Sequence, residues 1–274
     1  MIDDASDSRQ CAGDFIVTGA SSGLGFELAR RLAGEGRGVV AIGRDPARLA
    51  EVSALSRNIE TMQFDLARTG DIDALTDRLI ASGRDIAGVI NNAAVQHDLR
   101  LDATSYGAAT IGEEIAINLT APIVLTRALL PVLRRQRQAT IVNISSALGF
   151  VPKSTAAVYS ASKAGLHLFS EALRAQLRET SVRVIEVVPP LIDTRMAAGR
   201  GTGKMTPAQA AEAIVAAIER GANGAIFLGK ARALPISSNV VLGSNETAYF
   251  NFGWSPSSNY LAVSIWRTWS GPSR

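Results

Sequence analysis

The sequence predicts an α/β fold, a doubly wound sheet of about seven parallel strands with helices on both faces. Three observations carry this expectation. Short β-branched runs alternate with alanine- and leucine-rich amphipathic stretches along most of the chain. Successive strands are far enough apart for a right-handed crossover helix. The first strand enters its helix through a glycine-rich turn.

In chain order, Phe15 to Val17 reads as a buried strand and Leu24 to Leu32 as a helix. Val39 to Ile42 is the second strand. Asp45 caps the next helix and Pro46 opens it, to Ala54, because proline is tolerated at a first helical position. Ile59 to Phe64 is the third strand, Ile72 to Ile80 a helix, and Ile86 to Ile90 the fourth strand. A long helical stretch runs from Gly112 to Arg135, with Pro122 and Pro131 marking a kink and a boundary region. Ala139 to Ile144 is the fifth strand, Ala156 to Arg178 a long helix, and Val182 to Val188 the sixth strand. Pro207 opens a last helix, to Arg220, before a short strand from Ala225 to Leu228. Neither an internal repeat nor a linker divides this region, so residues 14–230 form one domain and 1–13 a disordered N-terminal segment.

Composition narrows the function classes. At 274 residues the chain can bury a sizeable core without disulfides or a structural metal. Apolar residues make up 47% and charged residues 19%, which excludes a disordered or fibrous chain. The net charge is only +3 and no basic block stands out, so nucleic acid is not implied as a partner. The single cysteine, Cys11, excludes disulfides and a cysteine-based zinc site. No apolar h-region opens the chain, and no apolar run approaches the ~20 residues of a membrane span. A reduced, cytoplasmic protein is the expectation.

Composition breaks near residue 237. From there to the end lie nine serines, four asparagines, seven of the fifteen aromatics and all three tryptophans, with three charged residues. No helical or period-two pattern persists. Residues 231–274 are therefore expected to be an atypical, poorly ordered tail, a late replacement of the kind a reading-frame change produces. The alternative is an ordered aromatic flap over substrate or an oligomer contact.

The turn Thr18-Gly19-Ala20-Ser21-Ser22-Gly23-Leu24-Gly25 joins the first strand to its helix. Such a turn lets a pyrophosphate approach the backbone while the helix N-terminus offers oriented N–H donors. Tight packing alone is the other use of such glycines. At the end of the second strand, Gly43 is followed by Arg44 and Asp45. A carboxylate there suits the ribose hydroxyl of NAD, and an arginine suits the 2′-phosphate of NADP. Arg44 favours NADP over NAD; otherwise it is a solvated loop residue beside the N-cap Asp45.

Tyr159 and Lys163 stand four apart on a helix, so phenol and ammonium share one face. Tyrosine is a poor acid–base group near pH 7, with a reference pKa of about 10. A neighbouring ammonium favours phenolate and brings that value down. The fifth strand delivers Ser145 and Ser146 at its C-terminal end, and the fourth delivers Asn91-Asn92-Ala93-Ala94 at the same edge. Asn118 lies mid-helix between apolar neighbours, where a water or backbone carbonyl beside the Tyr–Lys pair would satisfy it.

In these motifs the sequence resembles the short-chain dehydrogenase/reductase family, over residues 14 to about 230. TGASSGLG at 18–25, Asp65-Leu66, NNAA at 91–94, Asn118, Ser146, YSASK at 159–163 and PPLIDT at 189–194 fall in family order. RVIEVVPPLIDT resembles the subset that contains the oxidoreductase DltE. Ala94 and Pro190 stand where the family usually has glycine. The resemblance implies a Rossmann-like fold and a catalytic set of Asn118, Ser146, Tyr159 and Lys163. Ser146 is preferred to Ser145 because the family serine precedes its tyrosine by thirteen positions. Implied cofactor contacts are Gly19, Ser21, Ser22, Gly23, Leu24, Gly25, Arg44, Asp65, Leu66, Asn92, Tyr159, Lys163, Ile192 and Thr194.

Other candidates read more plainly. His97 is a solvated loop residue rather than a substrate contact. His167 lacks a second histidine at metal spacing, so packing or surface exposure is its expected role. Glu113-Glu114 and Asp71 to Asp73 lie near expected helix starts and read as dipole partners, with no metal site implied. The segment Met196 to Met205 is glycine-rich and reads as a substrate lid.

The combined expectation is an NADP(H)-dependent oxidoreductase interconverting a small alcohol and a carbonyl. Nucleic acid and membrane are not expected partners, and a homodimer or homotetramer is compatible with the resemblance. The rivals are a non-catalytic NADP-binding redox sensor on the same fold and a damaged paralogue.

Overall fold

The computed structural model describes residues 13–233 and the backbone of 248–254 and 261–267. Seven strands form one sheet: β1 (Asp14–Thr18), β2 (Val39–Gly43), β3 (Ile59–Gln63), β4 (Ile86–Asn91), β5 (Ala139–Ile144), β6 (Val182–Val188) and β7 (Gly224–Phe227). Their order is β3-β2-β1-β4-β5-β6-β7, and every neighbouring pair is parallel. The winding reverses between β1 and β4. At such a switch point the connections leave in opposite directions and open a crevice at the strands' C-terminal ends.

The helices are α1 (Gly23–Gly34), α2 (Pro46–Ser53), α3 (Ile72–Ala81), α4 (Ala108–Ile115), α5 (Ala121–Leu133), α6 (Ala157–Gln176) and α7 (Pro207–Glu219). Strand alternation splits the core into two layers. Phe15, Val17, Ala41, Val142 and Val187 pack with Leu28 and Leu32 of α1 and Ile214 and Ile218 of α7. Ile16, Val40, Val89, Ile141 and Val184 pack with Leu75, Leu79, Leu125, Leu129 and Leu173 of α3, α5 and α6. Burial on both faces explains why the inner strands β1, β2 and β4 to β6 read as mostly apolar runs. The expected doubly wound sheet is what the chain forms.

Two helix expectations need correction. The helix expected from Gly112 begins at Ala108, so Glu113 and Glu114 lie beyond its first turn. Between α4 and α5, Ala116–Thr120 is a π-turn, in which the Ala121 N–H reaches back to the Ala116 carbonyl. Pro122 accounts for it: proline offers no N–H to the Asn118 carbonyl four residues back, and its ring would clash there. The helix widens instead of breaking. Ala108–Leu133 is thus one 26-residue helix, long and apolar enough to cross a membrane by length and composition, contrary to the sequence expectation. Leu125, Leu129 and Leu133 of its apolar side are fully buried in the core.

The chain divides into two compact units, Met1–Leu234 and Pro235–Arg274. In the second, β8 (Ala248–Trp254) and β9 (Leu261–Arg267) pair antiparallel, from Ala248 opposite Arg267 to Trp254 opposite Leu261. No strand pattern was expected there; the strand preference of the aromatic residues prevails over the missing alternation. The expectations for residues 1–12 and the remainder of the tail lie outside the described residues. The first unit continues past Lys230: Ala231 is buried and Arg232 Nε donates to the Phe227 carbonyl at 3.1 Å. Ending the chain at Leu234 is therefore expected to leave a soluble protein with the NADPH affinity of the full chain. A truncated chain that precipitates, or no longer binds NADPH in a fluorescence titration, would make the tail structural.

Candidate active site

The switch point is stitched by Thr18. Its Oγ1 donates to the Ile90 carbonyl at 3.3 Å and accepts from the Asn92 and Ala93 N–H groups at 3.0 Å each. Asn92 Nδ2 returns a bond to the Thr18 carbonyl at 2.9 Å. Glycine is needed next for two distinct reasons. Gly19 has φ of +66°, and a Cβ there would lie 2.8 Å from Ala93 Cα. A Cβ on Gly25 would lie 2.3 Å from the Gly19 carbonyl oxygen, so the turn folds tightly onto the first turn of α1. Ser22, the N-cap of α1, makes no side-chain cap bond, and the first turn carries no acid. That leaves amide donors and a partial positive charge at a helix end whose Ser22, Gly23 and Leu24 line a cleft.

The cleft encloses about 1000 Å³. Gly19, Ser21, Ser22, Gly23, Leu24, Arg44, Asp65, Leu66, Asn92, Ser146, Tyr159, Lys163, Ile192 and Thr194 all line it. Gly25 and Asn118 are buried and do not line it. Arg44 Nη1 lies 3.2 Å from Glu113 Oε1, with more than half of its side chain exposed. Asp45 caps α2 as expected, accepting from the Ala47 and Arg48 N–H groups at 3.0 and 3.2 Å. Arg48 also lines the cleft, a second cation that sequence reasoning missed although it stands in the first turn after Arg44.

α6 places Tyr159 and Lys163 side by side, with Lys163 Nζ 5.8 Å from the phenol ring centre. Lys163 Nζ donates to the Ile144 carbonyl at 2.8 Å. Burial pushes the Tyr159 phenol up to about 12; the Ser146 hydroxyl and the Arg200 charge act downward, and Glu114 acts upward. Burial also brings Lys163 down to about 8, against the pull of Glu186. The expected lowering of the Tyr159 value by Lys163 is not what acts here: burial dominates, and the downward influences come from Ser146 and Arg200. Ser146, rather than Ser145, faces Tyr159; Ser145 Oγ is buried without a partner among the described residues.

Asn118 is fully buried in the π-turn. Its Oδ1 accepts from the Val95 N–H and its Nδ2 donates to the Val95 carbonyl, both at 2.8 Å. The expected backbone carbonyl partner is therefore present, and the bonds pin the loop after β4. Nδ2 also donates to Ser162 Oγ at 3.2 Å, and Ser162 donates to the Tyr159 carbonyl at 2.8 Å.

Beneath α6, three polar side chains stand abreast on adjacent strands: Asn91 beside Asn143, and Asn143 beside Glu186. Asn91 Nδ2 donates to Asn143 Oδ1 at 2.8 Å, and Asn143 Nδ2 donates to Ser170 Oγ at 2.8 Å. Glu186 Oε2 lies 2.8 Å from His167 Nδ1, while Oε1 has no partner among the described residues. The Glu186 carboxylate raises the His167 value. His167 packs on Phe150 as expected, with ring centres 4.5 Å apart, and also pairs with Glu186. His167, Glu171 and Glu186 bring ligand atoms within 4.8 Å of one another, and Glu171 is bonded to Arg174 at 2.6 Å.

Two further expectations change. Glu114 is buried and accepts from the Tyr106 hydroxyl and, at 3.4 Å, the His97 N–H, so it is a structural acceptor and not a dipole partner. His97 is not a solvated loop residue: it lines the cleft and packs on Tyr106 with ring centres 6.1 Å apart. Asp71, at the N-cap of α3, and Asp73, in its first turn, stand where dipole partners are expected.

The fold and cleft define a nucleotide-binding oxidoreductase framework, and the comparisons agree. The family model for short chain dehydrogenases matches residues 15–204. The chain belongs to the short-chain dehydrogenase/reductase family. The uncharacterized oxidoreductase DltE of Bacillus subtilis is 40% identical over 179 residues, covering 65% of this chain and 71% of DltE. A short chain dehydrogenase from Burkholderia cenocepacia in complex with NADP superposes with a TM-score of 0.73 at 30% identity, over 82% of this chain and 92% of that one. One from Sphingobium yanoikuyae in complex with NADPH gives 0.72 at 29% identity, over 82% and 89%.

Proposed function

We propose that this chain interconverts an alcohol and a carbonyl in a small molecule, using NADP(H). The observation that carries the reading is the convergence of Ser146, Tyr159 and Lys163 in the cleft that begins at the uncapped end of α1. The close-packed glycine turn fits a pyrophosphate, and Arg44, with Arg48 behind it, fits a 2′-phosphate. Gly19, Ser21, Ser22, Gly23, Leu24, Asp65, Leu66, Asn92, Ile192 and Thr194 would complete that half of the cleft, with Gly25 supporting the turn from behind. When bound, the cofactor supplies or accepts the hydride.

The chain's own groups handle the proton and the geometry. Tyr159 gives its hydroxyl proton to the carbonyl oxygen, or takes one in the reverse direction. Ser146 hydrogen-bonds the same oxygen and holds it against the phenol. Lys163 stabilises phenolate through its charge and holds the cofactor's ribose. Asn118 fixes the Val95 loop and supports a proton path from Lys163. A non-catalytic sensor could dispense with Tyr159 or Lys163; both are retained and buried here.

NADPH oxidation across a panel of aldehydes and ketones, run beside NADPH binding, tests the reading. Turnover of any panel member supports it, and tight binding with no turnover would favour the sensor. The pH profile is a further check. A lysine is charged below its pKa, so kcat/KM for reduction should fall as pH rises through about 8. In Glu186→Gln the carboxylate that holds the Lys163 value up is gone, and the fall should move to lower pH. A profile that does not move would separate Glu186 from Lys163.

A further inference from the structure

The substrate half of the cleft is unbalanced in charge. Its charged lining is Lys153, Arg195 and Arg200, and among the described residues no carboxylate lines that half. The nearest counter-charge is Asp98, behind the lining. Asp98 accepts from Lys153 Nζ at 2.6 and 2.8 Å and from Thr155 Oγ1 at 2.7 Å, and lies 3.3 Å from Arg200 Nε. One carboxylate shared by two cations leaves a positive charge facing the cleft.

The arrangement is built rather than incidental. Asp98 has φ of +40°, a left-handed conformation that costs a non-glycine residue energy and persists only where its surroundings hold it. Its bonds gather the loop after β4, the segment before α6 and the segment that carries Arg200 around one carboxylate. Arg200 is further held by Nη1, which donates to Gln96 Oε1 at 2.6 Å. The Arg200 charge also acts on the Tyr159 phenol, so the guanidinium lies within electrostatic reach of the proton donor.

We infer that Arg200, steadied by Asp98 and backed by Lys153, is a carboxylate subsite, and that the substrates are small oxo acids and their hydroxy-acid counterparts. This rests on the reading of Tyr159 and Ser146 above. A planar, bidentate guanidinium matches a carboxylate, and an anion there settles the excess positive charge. In reduction the carbonyl carbon gains hydride from NADPH and its oxygen gains the Tyr159 proton; the carboxylate is a handle and is unchanged. The other source of an anion is a phosphate on a carrier-linked acyl thioester.

The test uses the full chain with NADPH and four classes of carbonyl of matched length: 2- and 3-oxo acids, their methyl esters, the coenzyme A thioester, and a neutral ketone. The expected result is a higher kcat/KM for a free acid than for its ester. In Arg200→Gln that acid-to-ester ratio should fall about ten-fold or more, the scale of one charge-assisted contact, and Arg200→Lys should recover part of it. The wild-type ratio needs no variant and so does not depend on how the variants fold. Equal rates for acids and esters, or an unchanged ratio in Arg200→Gln, would overturn the inference. A preference confined to the thioester would overturn it in favour of the phosphate. If esters and ketones are reduced but acids are not, the inference fails and the oxidoreductase reading stands; if nothing is reduced, both fall.

Discussion

Replacing Tyr159 with phenylalanine is expected to lower carbonyl reduction by about 10²–10⁴-fold while leaving NADPH affinity within a few fold. The ring lies buried on α6, so Phe keeps its volume and packing and only the hydroxyl is lost. Two terms act together. The proton source disappears, and so does the hydroxyl that Ser146 engages. Single-turnover rates of NADPH oxidation, beside a fluorescence titration of NADPH, separate chemistry from binding. Retention of most activity would remove Tyr159 from its acid–base role.

The second large effect is expected at Arg44. Arg44→Ala should weaken NADPH binding by about 1.5–3 kcal/mol and NADH binding much less, because only NADPH carries the 2′-phosphate. The pair with Glu113 does not work against this expectation. It is more than half exposed on the arginine side, and such pairs contribute little. Arg48, on the same wall of the cleft, should retain part of the discrimination, so Arg44→Ala with Arg48→Ala should lose more than the single variant. Equal losses for both cofactors would remove the 2′-phosphate assignment.

What the sequence made legible follows from distance along the chain. The glycine turn, the Tyr–Lys spacing and the strand alternation are local patterns, and each survives in the structure. Other features depend on partners far apart. Asp98 pairs with Lys153 55 positions away, and Arg200 with Gln96 104 positions away. Neither pair leaves a periodic trace. Glu186 reads as one polar residue in a β-branched run, and only the neighbouring strand and α6 show why it is buried. The start of α4 was missed because its N-cap, Gly107, makes no side-chain cap bond. Pro122 reads as a kink. The finer outcome, a π-turn that seats Asn118, could be anticipated only by asking which carbonyl the proline clashes with.

The polar row of Asn91, Asn143 and Glu186 also bears on how the chain finds one alignment. A parallel sheet buried on both faces carries apolar side chains on both, so the apolar pattern alone marks one alignment less sharply than a paired polar group does. The bond between Asn91 and Asn143 forms only where the two stand level. A shift of β5 by two residues would keep its inward face inward but break the Asn91–Asn143 bond in a dry interior, at about 1–3 kcal/mol. The row therefore acts as a locating pin. It fixes how far β5 extends past β4, and with that the height at which Ser146 emerges opposite Tyr159.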